Sequence, residues 1–126
     1  QYLGMLGRAE VARLLSQSMA GLLLLTPTHA YRRALPIKLF EYMMAGLPVI
    51  ASDFPLWRRL AGEECALYVN PEDLNQVVEA IQLILSDPQR AAKMGQAGRQ
   101  RALTHYSYET QAKILLKSYQ RFEVPK

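Results

Sequence analysis

Two side chains in this sequence have the types and spacing for chemistry. Lys38 and Glu41 stand three residues apart in Leu35-Pro36-Ile37-Lys38-Leu39-Phe40-Glu41. Proline at 36, apolar residues at Ile37, Phe40 and Met44, and the stop signal Gly46-Leu47-Pro48 predict a helix over 36–45, with the proline at its first position. The first turn of a helix presents unpaired N–H groups and the positive end of its dipole, which together make an anion site. Lys38 adds a full positive charge to that turn. Glu41 shares its face and leans back toward the helix start. A carboxylate there would repel a phosphate in direct contact. It suits hydroxyl groups about one helical pitch away, roughly 5 Å. In a nucleoside diphosphate the group at that distance is the ribose, whose vicinal hydroxyls a carboxylate can accept. The arrangement permits a diphosphate on the backbone of that first turn, with the ribose on Glu41. The same spacing also suits an ordinary surface ion pair, and spacing alone favours that plainer reading.

The elements that must position these residues alternate between strand-like and helical segments. Residues 1–5 are short and apolar and are expected to form a strand. A helix over 8–19 carries Val11, Leu14, Leu15 and Met19 at helical spacing. Residues 21–26 contain four consecutive leucines and read as a strand buried on both faces, followed by a polar, basic loop over 26–35. Strands are expected over 48–52 and 66–69, with a short helix over 54–61 between them. The remainder reads as helical. A helix over 73–85 has its face at Leu74, Val77, Val78, Ile81, Ile84 and Leu85, and one over 89–104 follows a cap at Asp87 and Pro88. A last helix, capped by Ser107, has its face at Ala112, Leu115, Leu116, Tyr119 and Phe122. This order predicts an α/β fold, a parallel sheet of about four strands flanked by helices, with a helical C-terminal tail. Such sheets bind ligands at the carboxyl ends of their strands, which is where the 26–35 loop begins.

Composition bounds the choice of function. The chain has 126 residues, half of them hydrophobic and 21% charged, as in an ordinary globular domain. Its longest apolar run, Ala20 to Leu25, is far below the roughly 20 residues that span a bilayer. The single cysteine, Cys65, allows no internal disulfide and fits a reducing, cytoplasmic compartment. Two histidines and one cysteine lack the spacing of a metal site. The net charge of +4 suits an anionic partner, and equally suits a domain that is merely basic. Trp57 beside Arg58 and Arg59 could contact nucleic acid, although packing of a short amphipathic helix is the better account. Ser52 and Asp53 end a strand and could line a cleft or form a turn. His105 reads as a helix-end residue and the Met43-Met44 pair as core. No nucleophile–base pair for hydrolysis stands out.

The segment Phe40-Glu41-Tyr42-Met43-Met44-Ala45-Gly46-Leu47-Pro48-Val49-Ile50-Ala51-Ser52 resembles the signature of family 4 (group 1) glycosyltransferases with the GT-B fold. Leu35 to Met43 looks more narrowly like a bacterial subgroup that builds surface polysaccharides. Weaker matches occur in the family's order: Tyr2-Leu3-Gly4, Asp87-Pro88, Met94-Gly95-Gln96-Ala97-Gly98-Arg99 and Tyr106-Ser107-Tyr108-Glu109. The resemblance implies a truncated Rossmann-like C-terminal domain of the GT-B fold. Glu41 occupies the second glutamate of the family's Glu-x7-Glu motif, which implies ribose binding, and Leu35 to Lys38 occupy the diphosphate turn. The first glutamate of that motif, a contact to the donor sugar, falls at Arg33, which cannot accept a hydrogen bond. Arg32 and Arg33 could instead bind phosphate, or form a solvated basic loop.

The resemblance implies a parent hexosyltransferase that moves a hexose from a UDP-, GDP- or other nucleotide sugar to a glycan or lipid-linked acceptor. It implies no cofactor and no metal. It also implies a cytoplasmic location, with membrane-surface contact through the acceptor and no nucleic-acid partner. The chain is then a single partial domain, with strand–helix units over 1–72 and a helical tail over 73–126. An N-terminal acceptor domain and the first two strand–helix units would be missing, and the chain alone would be inactive. Without those units the strand at 1–5 loses its neighbour in the usual 3-2-1-4-5-6 order. Dimerisation through an exposed sheet edge, or a different sheet order, is therefore expected. Two other classes fit the charge and the alternation: a non-catalytic nucleotide-binding or regulatory α/β domain, and a basic membrane-associating module.

Overall fold

A computed structural model describes residues 2–120. Three strands, β1 (Gly21–Leu23), β2 (Val49–Ser52) and β3 (Ala66–Val69), form a parallel sheet in the order β1-β2-β3. Seven helices accompany them among the described residues: α1 (Arg8–Gln17), α2 (His29–Arg33), α3 (Ile37–Met44), α4 (Pro55–Ala61), α5 (Leu74–Ser86), α6 (Pro88–His105) and α7 (Tyr108–Gln120). The expected strand at 1–5 does not form. Residues 2–7 are irregular and lead into α1, so the sheet has three strands rather than four.

Alternation along the strands builds two cores, one on each face of the sheet. Leu23, Val49, Ala51 and Ala66 meet Leu39 and Met43 of α3 and Trp57 and Ala61 of α4. Ile50 and Val69 meet Ala80 and Ile84 of α5. Helix α6 serves both cores: Ala91 and Met94 of its first half join the second, and Ala102 near its end joins the first. It crosses α3 so closely that a Cβ on Gly95 would stand 1.9 Å from the Gly46 carbonyl oxygen. Gly46 itself has φ +73° and ends α3. Its N–H bonds the Met43 carbonyl at 3.0 Å and that of Leu47 bonds Tyr42 at 3.0 Å, the paired pattern of a Schellman stop.

Several expected faces are shifted. β1 is not buried on both sides. Leu22 pairs in register with Ile50, yet it is 49% exposed, because α5 covers β2 and β3 and stops short of the sheet edge. In α3 the buried residues are Leu39 and Met43, whereas Ile37 is 74% exposed and Met44 is exposed too. Pro36 stands at the N-cap, one position before the helix proper. In α5, Leu74, Val78 and Leu85 face outward. Helix α1 buries no residue. The face expected on α7 is exposed at Leu115, Leu116 and Tyr119, together with Ile114, while Phe122 lies outside the described residues. The 26–35 segment is not only loop. Thr28 accepts from the Tyr31 N–H at 3.2 Å and starts the five-residue α2. Asp87 and Ser107 cap α6 and α7 as expected, accepting from the N–H groups of Arg90 and Thr110.

Candidate functional site

The segment between β1 and α3 is anchored at both ends by buried side chains. At its start, the Ser52 hydroxyl, fully buried at the end of β2, accepts from the Leu25 N–H and donates to the Leu25 carbonyl, both at 2.8 Å. At its end, the Trp57 indole N–H donates to the Ala34 carbonyl at 2.9 Å, immediately before Leu35. Trp57 is a core residue with its ring 4.6 Å from that of Phe54, so packing and not nucleic-acid contact accounts for it. Both anchors reach over from neighbouring elements, Ser52 from β2 and Trp57 from α4. They hold the segment against the carboxyl end of the sheet.

Leu35, Pro36, Ile37 and Lys38 lie together in the turn from α2 into α3. Leu35, Ile37 and Lys38 are exposed and Pro36 half-buried. No side chain caps α3. The Leu39 N–H donates to the Pro36 carbonyl at 3.1 Å, which leaves the N–H groups of Ile37 and Lys38 for an external acceptor, and the helix dipole favours an anion there. Lys38 and Glu41 do not pair with each other. The ion pairs among the described residues are those of Arg58 with Asp53 and Glu63. The plain surface-pair reading of Lys38 and Glu41 is thus not realised.

Glu41 instead lines an open crevice of about 700 Å³ between α1, α3 and α6. Leu6, Val11, Leu15 and Met44 supply its apolar walls, and Arg8 and Arg99 its cations. Arg99 also donates to the Met44 carbonyl at 3.1 Å. The crevice runs from Glu41 toward the C-terminal end of α3, away from the turn that carries Lys38. Tyr42, the next residue, packs its ring against Gly21, where a Cβ would come within 2.3 Å of it. Burial, and then the Glu41 charge, push the Tyr42 phenol above its ordinary range. Arg33 is exposed at the last position of α2, next to Arg32.

The sequence left Ser52 and Asp53 open between cleft and turn, and the two divide those roles. Ser52 is the buried anchor. Asp53 lines a separate pocket with Arg32, Asn70 and Glu72. Its carboxylate is gripped by Arg58 at 2.5 and 3.0 Å, and that hydrogen-bonded pair holds the group below the usual carboxylate range. The grip of Arg58 was not foreseen from the sequence, and neither was the contact of Arg99. The five-residue spacing of 53 and 58 gives no helical-face signal, and Arg99 meets Met44 across 55 residues. Cys65 is buried, and His105 closes α6 as a helix-end residue. Among the described residues, no group of His, Cys, Asp and Glu is arranged to hold a metal ion, and no helix is long and apolar enough to cross a membrane.

The profile of the glycosyl transferase-like family matches residues 1–117. The chain belongs to that family. An MMP alpha-(1->4)-mannosyltransferase from Mycolicibacterium hassiacum is 28% identical over 83 residues, covering 64% of this chain and 20% of that protein. The solved structure of a sucrose-phosphate synthase from Thermosynechococcus elongatus superposes with a TM-score of 0.82 at 28% identity, covering 97% of this chain and 30% of that one. The chain thus spans a fifth of the length of its curated relative and 30% of its structural neighbour. Its three-stranded parallel sheet with flanking helices is the Rossmann-like architecture of a GT-B glycosyltransferase C-terminal domain. Within this glycosyltransferase domain, the uncapped turn of α3 and the Glu41 crevice are neighbours on one helix.

Proposed function

We propose that this domain binds the nucleotide-sugar donor of a hexosyltransferase. The diphosphate sits on the turn Leu35 to Lys38, the ribose on Glu41 and the base in the crevice beyond it. The observation that carries the reading is the crevice of about 700 Å³, which begins at Glu41 and continues along α3 from the uncapped turn that bears Lys38. Phosphate, ribose and base succeed one another in a nucleotide in that order. The apolar walls suit a flat base, and the carboxylate suits vicinal hydroxyls.

The parent enzyme moves a hexose to a glycan or lipid-linked acceptor, as the mannosyltransferase relative and the family 4 surface-polysaccharide resemblance suggest. Glycosidic cleavage passes through an oxocarbenium-like transition state. The α3 dipole, its open N–H groups and Lys38 stabilise the departing diphosphate, an electrostatic effect fixed in place before reaction. Arg32 and Arg33 add positive potential beside it.

Isothermal titration with UDP, GDP and ADP tests the reading. One nucleotide is expected to bind, and Glu41→Ala to weaken it by about tenfold or more, the cost of a charged hydrogen bond. Equal affinity in the wild type and the Glu41→Ala variant would refute the ribose assignment.

A further inference from the structure

In the tail segment Tyr106-Ser107-Tyr108-Glu109, Ser107 caps α7. Tyr106, at the junction of α6 and α7, does something else. Its side chain touches both helices that flank the donor turn. The ring meets Phe40 of α3 edge to face, with centroids 4.9 Å apart and planes at 66°. The hydroxyl donates to the Leu60 carbonyl of α4 at 2.9 Å. Resting on the donor reading, we propose that Tyr106 is a positioning residue for the turn Leu35 to Lys38, acting through α3 and α4 together.

These contacts close into a ring around the turn. Phe40 lies on α3 between Lys38 and Glu41, so a shift of Phe40 carries both with it. Trp57 stands three residues before Leu60, about one turn back along α4. Its indole N–H holds the Ala34 carbonyl at 2.9 Å, immediately ahead of the turn. The path from Ala34 therefore runs through Trp57 and α4 to Leu60, across Tyr106 to Phe40, and back along α3. The turn is the side that completes it.

Helix α4 is short and firmly held, so a displacement at Leu60 reaches Trp57. Arg101 donates to the carbonyls of Leu60 at 2.7 Å and Arg59 at 2.9 Å. The Tyr68 hydroxyl lies 2.9 Å from the Gly62 carbonyl and 3.3 Å from that of Trp57. Leu39 and Met43 of α3 also share a core with Trp57 and Ala61 of α4. Apolar packing sets the distance between the helices but is not directional, so it permits sliding. A hydrogen bond has a preferred angle and fixes the register. Tyr106 supplies that directional link on α4 and packs on α3 with the same ring.

Tyr106→Phe tests the proposal without unfolding the chain. It keeps the ring on Phe40, and Arg101 still satisfies the Leu60 carbonyl. Trp57 is the single tryptophan, so its indole N–H gives one signal in a nitrogen–hydrogen correlation spectrum. Exchange of that proton with heavy water is expected to quicken about fivefold, the worth of an ordinary hydrogen bond, with altered shifts at Ile37 and Lys38. The β2 amides of Ile50 and Ala51 are expected to change less than about twofold, because a general loss of stability would move all of them together. Equal acceleration of the indole and the β2 amides, or no change in either, would overturn the proposal. Affinity for whichever of UDP, GDP and ADP the wild type binds is expected to fall about fivefold. Unchanged affinity would overturn it too. Tyr106→Leu also takes the ring from Phe40 and is expected to weaken binding beyond Tyr106→Phe; equal affinity of the two variants would overturn the part played through α3. A wild type that binds no nucleotide would remove the donor reading, and the indole comparison then decides the tether by itself.

Discussion

Buried side chains place the exposed ones in this domain. Trp57 holds the Ala34 carbonyl just ahead of the turn Leu35 to Lys38. Trp57→Phe keeps the ring in the core but removes that donor, leaving the carbonyl unpaired. A loss of about 1–3 kcal/mol in chemical denaturation is expected, with weaker nucleotide binding although position 57 touches no ligand. Unchanged binding would show that the turn holds its shape without the tether. Asp53 allows a prediction with pH. Its folded pKa is depressed by the hydrogen-bonded Arg58 from an ordinary 3.8. The pair therefore contributes stability above about pH 3.8, and that contribution is lost as pH falls from there through the lower folded value. Both partners are substantially exposed, so the contribution at neutral pH is only about 0.2–1 kcal/mol. Asp53→Asn should lower stability by that amount at pH 7 and flatten the acid limb of the stability curve. Cys65 is buried at the start of β3, and burial raises its thiol above its usual range. Iodoacetamide at pH 8 is expected to label it only as fast as the domain unfolds, so adding urea below the midpoint should accelerate labelling.

At the scale of elements, the contact between α3 and α6 carries the most constraint. Gly95 lies against the Gly46 carbonyl, and Gly98 faces Met43 and Cys65. A methyl group at position 95 would have to push α6 off the end of α3, which also displaces Arg99 from the Met44 carbonyl. Gly95→Ala is expected to cost more than the roughly 1–3 kcal/mol of ordinary overpacking, although alanine is the better helix former. A stabilised variant in a urea titration would mean that the two backbones are not in contact. Gly95 and Gly98 were legible only as part of a family-like tail, since small residues mark a close approach without naming the partner. Element types were read well for the same reason that element faces were not. The stops at Gly46 and Pro48 and the caps at Asp87 and Ser107 act locally. They mark α3, the start of β2 and the starts of α6 and α7 to within about two residues, the usual scatter of such boundaries. The apolar stripe expected on α3, by contrast, was displaced. Ile37 and Met44 are hydrophobic but exposed, and Leu39 and Met43 are the residues turned to the sheet. An apolar residue on a short helix can belong to a ligand-binding turn as easily as to a core.

At the scale of the whole molecule, two apolar surfaces have no cover among the described residues. One is the open side of β1 with Leu22, and the other is the α7 face at Ile114, Leu115, Leu116 and Tyr119. The open edge of β1 favours pairing with another chain, although it is only three residues long and the Leu22 carbonyl already accepts from the Tyr42 hydroxyl at 3.4 Å. Sedimentation velocity over a hundredfold concentration range should show a monomer–dimer equilibrium, and Leu22→Lys should move it toward monomer. A strictly monomeric species at the highest concentration would remove the edge as a pairing surface. The sequence by itself determined the alternating α/β order, the punctuation of α3, α6 and α7 and the placing of Lys38 and Glu41 on one helix, because these depend on spacing and local capping. Contacts made across the chain decided the rest. Residues 2–7 form no strand and lead into α1, although β1 is an edge strand of the sheet. Leu22 is exposed because α5 stops short of the sheet edge. Glu41 faces a crevice and not Lys38 because α1 and α6 lie beside it, and Asp53 is immobilised by an arginine on the next helix. Each of these outcomes rests on which surfaces meet in three dimensions, a property that local spacing does not encode.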